Sequence, residues 1–316
     1  MLSPSVRRSP PAVPVRLMRA LAVAAVVTQA GIAVTGSVVR VTGSGLGCPD
    51  WPTCFPGSLV PDPHQDVAWV HQWVEFGNRL LVGVVSAVAI ACLVAALTTR
   101  PRRRRLILLA AAMPAGVLAQ AVIGGITVLL GLAWWTVSVH FLVSMVLVWL
   151  AVLLVQASGE PDSVSPPPPD RPAPAARSVR ALDTLSTVVL AALLAAGTMV
   201  TAAGPHAGDP ATPRLGLRVP LLAQVHAGLL VGYLSLLIVL GVALRAAVAP
   251  PATARRHRLL VAAVVTQGAL GATQYALGVP ETLVSLHVLG ACLVTAAAAG
   301  LWTSTSASRD GRVAGR

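Results

Sequence analysis

The chain has 316 residues, of which 55% are hydrophobic and only 11% charged, with a formal net charge of +12 and a mean hydropathy of +0.77. So little charge over that length excludes an ordinary soluble domain and indicates an integral membrane protein. The positive charge does not indicate nucleic-acid binding: lysine is absent, the arginines cluster between apolar runs, and nothing aromatic is interleaved with them.

Apolar runs long enough to cross a bilayer, about 20 residues each, occupy 17–38, 72–98, 106–130, 136–156, 181–203, 220–244, 259–277 and 282–303. The expected fold class is an all-α integral membrane protein with eight transmembrane helices in two pseudo-symmetric four-helix bundles. The first run is too long for a signal-peptide core and no cleavage pattern follows it, so it reads as a retained helix. With the N-terminus inside, all but Arg40, Arg79, Arg214 and Arg218 of the 23 arginines fall on the inner side. The positive-inside bias then predicts a multi-pass plasma-membrane protein with both termini cytoplasmic. Trp51, Trp69, Trp73, Trp134 and Trp135 gather near the outer face, as an interfacial belt would. The expected organisation is a tail (1–16), an N-terminal bundle (17–156) with an outer loop at 39–71, a linker (157–180), a C-terminal bundle (181–303) and a second tail (304–316). The linker is extended in this reading because its proline-rich run, Ser163 to Ala176, cannot pack.

In the outer loop, Cys48 and Cys54 are separated by five residues that include two prolines. On the outer side that spacing favours a disulfide over two free thiols, either as a staple or as a redox pair. Cys92 and Cys292 lie inside apolar runs and read as packing residues. The second run opens on His71-Gln-Trp-Val-Glu75-Phe-Gly-Asn78-Arg79. On a helix His71, Glu75 and Asn78 share one face, and a carboxylate beside a membrane-length apolar run needs a partner or a task. Two alternatives stay open for Glu75: a reacting acid, or an ion pair with Arg79 at i+4. Arg40 and Arg79 could instead meet carboxylates at the outer interface.

The fourth run carries His140, and the halves repeat around it. Gln120-Ala-Val-Ile-Gly-Gly leads to Val137-Ser-Val-His140 over the same spacing that takes Gln267-Gly-Ala-Leu-Gly-Ala to Val284-Ser-Leu-His287. The shared register points to a parallel duplication. His226 and His287 stand on the second and fourth helices of one bundle, at equal depth. Facing histidines so placed suit a heme with two axial imidazoles. Helix–helix hydrogen bonding is the bland alternative, and zinc lacks further ligands apart from Glu281. His64, His206 and His257 read as solvated loop residues.

Together, Arg40-Val-Thr-Gly-Ser-Gly-Leu-Gly-Cys-Pro-Asp-Trp-Pro-Thr-Cys54, the Glu75-to-Arg79 segment and the histidines of helices four, six and eight resemble the heme A synthase family. The resemblance implies an oxidoreductase that converts the C8 methyl group of heme O to the formyl group of heme A, with water as oxygen source, for cytochrome oxidase. It implies heme b between His226 and His287, heme O bound in the N-terminal bundle with His140 as iron ligand, and Glu75 as the catalytic carboxylate. It also implies a Cys48–Cys54 disulfide with a part in electron transfer. Implied partners are the lipid bilayer, heme O synthase, cytochrome oxidase assembly factors and a second copy of the chain; nucleic acid is not among them. One departure stands out: the family usually has histidine where this chain has Asn78, so His140 ligates alone or His71 joins it. Rival readings are a thiol-oxidising membrane protein working through Cys48 and Cys54, a di-heme electron carrier and, last, a transporter.

Overall fold

The computed structural model describes residues 14–159 and 173–306. The expectations for most of the two tails and for 160–172 of the linker lie outside the described residues. Among the described residues eight helices follow one another: α1 (Val15–Val41), α2 (Trp69–Thr98), α3 (Arg104–Leu129), α4 (Trp134–Gly159), α5 (Ala173–Ala203), α6 (Val219–Ala246), α7 (Pro251–Ala276) and α8 (Glu281–Ser306). All eight are long and apolar enough to cross a membrane, so the chain is a multi-pass membrane protein. Among the described residues the only extended pairing is an isolated bridge between Phe55 and Ser58.

A bilayer permits this architecture because each helix satisfies its own backbone polar groups. The hydroxyls follow the same rule. Thr28, Thr127 and Ser138 donate to the carbonyls of Ala24, Ile123 and Trp134, four residues back in each case.

Two boundaries differ from expectation. Helix α5 begins at Ala173, inside the stretch read as linker, and α7 begins at Pro251 rather than near residue 259. The apolar windows stop where arginines begin, yet alanine and arginine are both strong helix formers and proline suits a first turn.

Helices α1 to α4 form a closed ring of neighbours, α5 to α8 form another, and α1, α4, α5 and α8 make the seam between them. Two apolar cores fill the ends of the rings that carry the arginine clusters. One gathers Met18, Ala22, Ala89, Cys92, Leu106, Met113 and Leu154; the other gathers Tyr233, Leu237, Leu240, Leu260 and Leu301. The opposite ends, which carry the outer loop, are less filled. No residue of α2 between Glu75 and Val85 is buried, none of α6 before Tyr233, and none of α8 before Ala291. The α6 and α8 segments carry His226 and His287.

The loop-end turns of the two rings match bond for bond. In one, Leu130, Gly131 and Leu132 donate their N–H groups to the carbonyls of Ile126, Val128 and Thr127. In the other, Leu277, Gly278 and Val279 donate to Thr273, Tyr275 and Gln274. Leu132 and Val279 take the left-handed conformation at φ 60° and 64°, a strained choice for a branched residue.

Candidate functional site

The outer loop folds onto the mouth of the first ring through the charges of α2. Cys48 and Cys54 form a disulfide, and both are buried with Phe55 against Val67 and Phe76. Glu75 is 5% exposed. Its Oε2 accepts the Cys48 N–H at 2.8 Å, and its Oε1 accepts Arg79 Nη2 at 2.6 Å and Nε at 3.1 Å. Arg79 also donates to the carbonyls of Cys48, Asp50 and Thr53. One helix turn of α2 thus holds the loop by a carboxylate on its N–H side and a guanidinium on its C=O side. Asp50 tightens the same loop, accepting from Thr53 Oγ1 at 2.6 Å and from the Trp51 N–H; these bonds hold its carboxyl below the usual aspartate range.

Close approach here demands glycine at one position. A Cβ on Gly47 would sit 2.1 Å from the His71 carbonyl oxygen. The His71 ring is held to the loop by Ser44, Oγ to Nδ1 at 2.8 Å, and it lines a half-open cavity of about 490 Å³ with Thr42, Leu46, Pro49 and Asp209.

Deeper in the rings, three histidines share one local construction. The His140 ring of α4 rests on Gly124 of α3, the His226 ring of α6 on Gly197 of α5, and the His287 ring of α8 on Gly271 of α7. The nearest ring carbon lies 3.3, 3.1 and 2.9 Å from where each glycine would carry a Cβ. Each Nδ1 is buried with no partner in hydrogen-bonding geometry. An imidazole whose Nδ1 faces the helix and whose other edge faces a loosely packed interior can offer Nε2 to a metal. Gln120 donates Nε2 to the His140 carbonyl at 3.0 Å, and Gln267 repeats the bond to the His287 carbonyl at 2.8 Å. Asn78 accepts Thr35 Oγ1 at 2.7 Å.

Among the described residues no three His, Cys, Asp or Glu side chains cluster as a protein-only metal site requires, so the donor set suits a planar cofactor with two axial ligands better than tetrahedral zinc. A heme would suit these residues: imidazoles seated on glycine cradles, in stretches of α6 and α8 where no residue is buried, could serve an axially ligated macrocycle.

Several expectations change. Arg79 spends all five N–H donors on Glu75 and three loop carbonyls, so it has none for a propionate; the ion pair with Glu75 is present, 2.6 Å long. Arg40 donates Nη2 to the Thr201 carbonyl across the seam, and its Nε is buried without a partner, which leaves a donor for an anion. His206, in the loop between α5 and α6, and His257, on α7 rather than in a loop, are not solvated: each is half-buried and donates Nε2 to a backbone carbonyl, Val279 and Leu237 respectively. His257 also packs on a glycine, Gly241, so the cradle alone does not mark a ligand; His257 differs from the other three in that its Nε2 donates to the Leu237 carbonyl.

The sequence placed Trp51 only in an interfacial belt and gave Asp183 no role. A Cβ on Gly125 would lie 2.4 Å from the Trp51 indole, so consecutive glycines of α3 seat the His140 ring and the loop's tryptophan. The Gly-Gly pair was the available signal. Asp183 is 2% exposed and accepts from Thr305 Oγ1; an aspartate inside an apolar run was its signal.

Fold and site together define a multi-pass membrane protein with a disulfide-tied outer loop and imidazoles seated on glycines of neighbouring helices. The chain belongs to the cytochrome oxidase assembly protein family, COX15-CtaA, whose model matches residues 19–211. It is similar to a Heme A synthase of Lysinibacillus sphaericus (strain C3-41), 35% identical over 141 residues, 44% of each chain. It is also similar to Heme A synthases of Geobacillus thermodenitrificans and Geobacillus kaustophilus (strain HTA426), each 39% identical over 51 residues, 16% of this chain and 14% of the relative. The matched stretches span less than half the length of these relatives.

Proposed function

We propose that the chain is a heme A synthase, oxidising the C8 methyl group of heme O to a formyl group. The observation that carries this is the set of three glycine-cradled histidines with unpaired Nδ1 atoms, two of them in the second ring, in a member of the cytochrome oxidase assembly family. In balanced form the methyl carbon and one water give the aldehyde, four protons and four electrons.

The roles divide by half. The N-terminal bundle, 17–156, takes heme O as substrate with His140 as iron ligand. The C-terminal bundle, 181–303, holds heme b between His226 and His287. When bound there, heme b supplies a one-electron redox centre. Arg40 offers its free donor to a propionate. Glu75, one helical turn from Asn78, lends negative charge beside a methyl carbon that becomes electron-poor. The arginine-bearing helix ends face the cytoplasm, as the positive-inside bias directs.

A second reading of Glu75 rests on its bonds: with Arg79 and the Cys48 N–H as partners, it could be a loop anchor only. Heme extracted from cells that make heme O but no heme A tests the function. Expression of this chain yields heme A; heme O alone sinks the proposal. Glu75→Gln, which keeps an acceptor for Cys48, separates the two readings. A drop of about 100-fold or more in formyl product, with disulfide and heme content unchanged, assigns chemistry to the carboxylate. A drop that follows loss of the disulfide or of heme assigns anchoring.

A further inference from the structure

The odd helices present a glycine to each following or facing imidazole, and the pattern has a fourth member. On α1, Val34-Thr-Gly36-Ser-Val-Val39 stands four residues before Arg40 as Ala195-Ala-Gly197-Thr-Met-Val200 stands before Thr201, and Arg40 bonds the Thr201 carbonyl across the seam. Gly197 carries the His226 ring. Gly36 has no atom within 4 Å of its would-be Cβ. The residue of α2 that reaches toward it is Asn78, whose Oδ1 is taken by Thr35 Oγ1 at 2.7 Å.

An amide oxygen is a weak ligand for heme iron, and this one already accepts a hydrogen bond. The Asn78 Nδ2 has no protein partner among the described residues and is a donor only. His71 does not substitute: it stands two turns away, tied to Ser44 at the loop.

The geometry points to an open axial coordination site in the first-half pocket, opposite His140 and bounded by Asn78, Thr35 and Gly36, which takes a small exogenous ligand that accepts a hydrogen bond from Asn78. The ligand class is a water, hydroxide or comparable small donor to iron. This rests on the heme reading of the site. The two pockets would then differ in kind: a six-coordinate, ligand-inert heme between His226 and His287, and a five-coordinate, ligand-binding one on His140.

The test uses the full chain, purified from membranes and loaded with iron protoporphyrin IX, with carbon monoxide as probe of the ferrous and cyanide of the ferric form. Part of the heme is expected to bind carbon monoxide. His140→Ala removes that part and leaves the rest of the spectrum. Asn78→His fills the place over Gly36, converts the heme to a low-spin bis-imidazole form and abolishes the carbon monoxide shift. Asn78→Ala keeps carbon monoxide binding but weakens cyanide five- to tenfold, the worth of one hydrogen bond. A wild-type protein whose heme is wholly low-spin and inert to carbon monoxide overturns the open site and leaves the heme reading standing. So does a reactive heme lost with His226→Ala rather than His140→Ala. A chain that binds no heme overturns both.

Discussion

At the scale of single residues, the site is governed by what each side chain is already bonded to. Glu75 and Arg79 form a mostly buried pair, and removing one partner of such a pair costs about 3–5 kcal/mol. Glu75→Ala is therefore expected to loosen the outer loop as well as any chemistry, read as faster reduction of Cys48–Cys54 by a mild thiol; an unchanged reduction rate would contradict the clamp. Gly125→Ala must push the Trp51 indole aside, at about 1–3 kcal/mol, and quenching of tryptophan emission by an aqueous quencher should rise. The histidines and Glu75 were legible because ionisable groups in apolar runs stand out. Trp51 was not, since only the folded loop brings it onto α3. His257 misled for a different reason: its helix begins among arginines, where hydropathy cannot see it.

Among elements, the outer loop is the one most dependent on close approach. Gly47→Ala would drive a methyl group into the His71 carbonyl at 2.1 Å, and the loop should come off α2. Trypsin has no site there, so a broad-specificity protease reports it: cleavage within residues 42–68 in the variant and protection in the wild type. The Asp50 carboxylate gives the loop an acid limit. Its folded pKa lies below the unfolded value, so its contribution is fully present above about 3.9 and is lost as pH falls through the depressed value. Protection of the loop from an acid protease should decline only below that range, and a decline at higher pH would contradict the Asp50 assignment. The helices themselves could be read off the chain, because about 20 apolar residues suffice to mark a span. The early starts of α5 and α7 could not, because they are set by helix propensity in polar sequence.

Across the whole molecule, two four-helix rings carry their buried cores at the arginine ends, with the histidines toward the loop ends. The Gln-to-His spacing is shared by the two halves of the sequence, and the loop-end turns and the Gln–carbonyl bonds match between them. The asymmetry between the halves lives in a few residues of α2. The direct measurement is the heme content and redox spectrum of the purified chain, by pyridine hemochrome, for wild type, His226→Ala, His287→Ala and His140→Ala. The account predicts a low-spin heme b signal that is lost in the His226 and His287 variants and kept in the His140 variant. A wild type without heme, or a signal indifferent to His226 and His287, would contradict it.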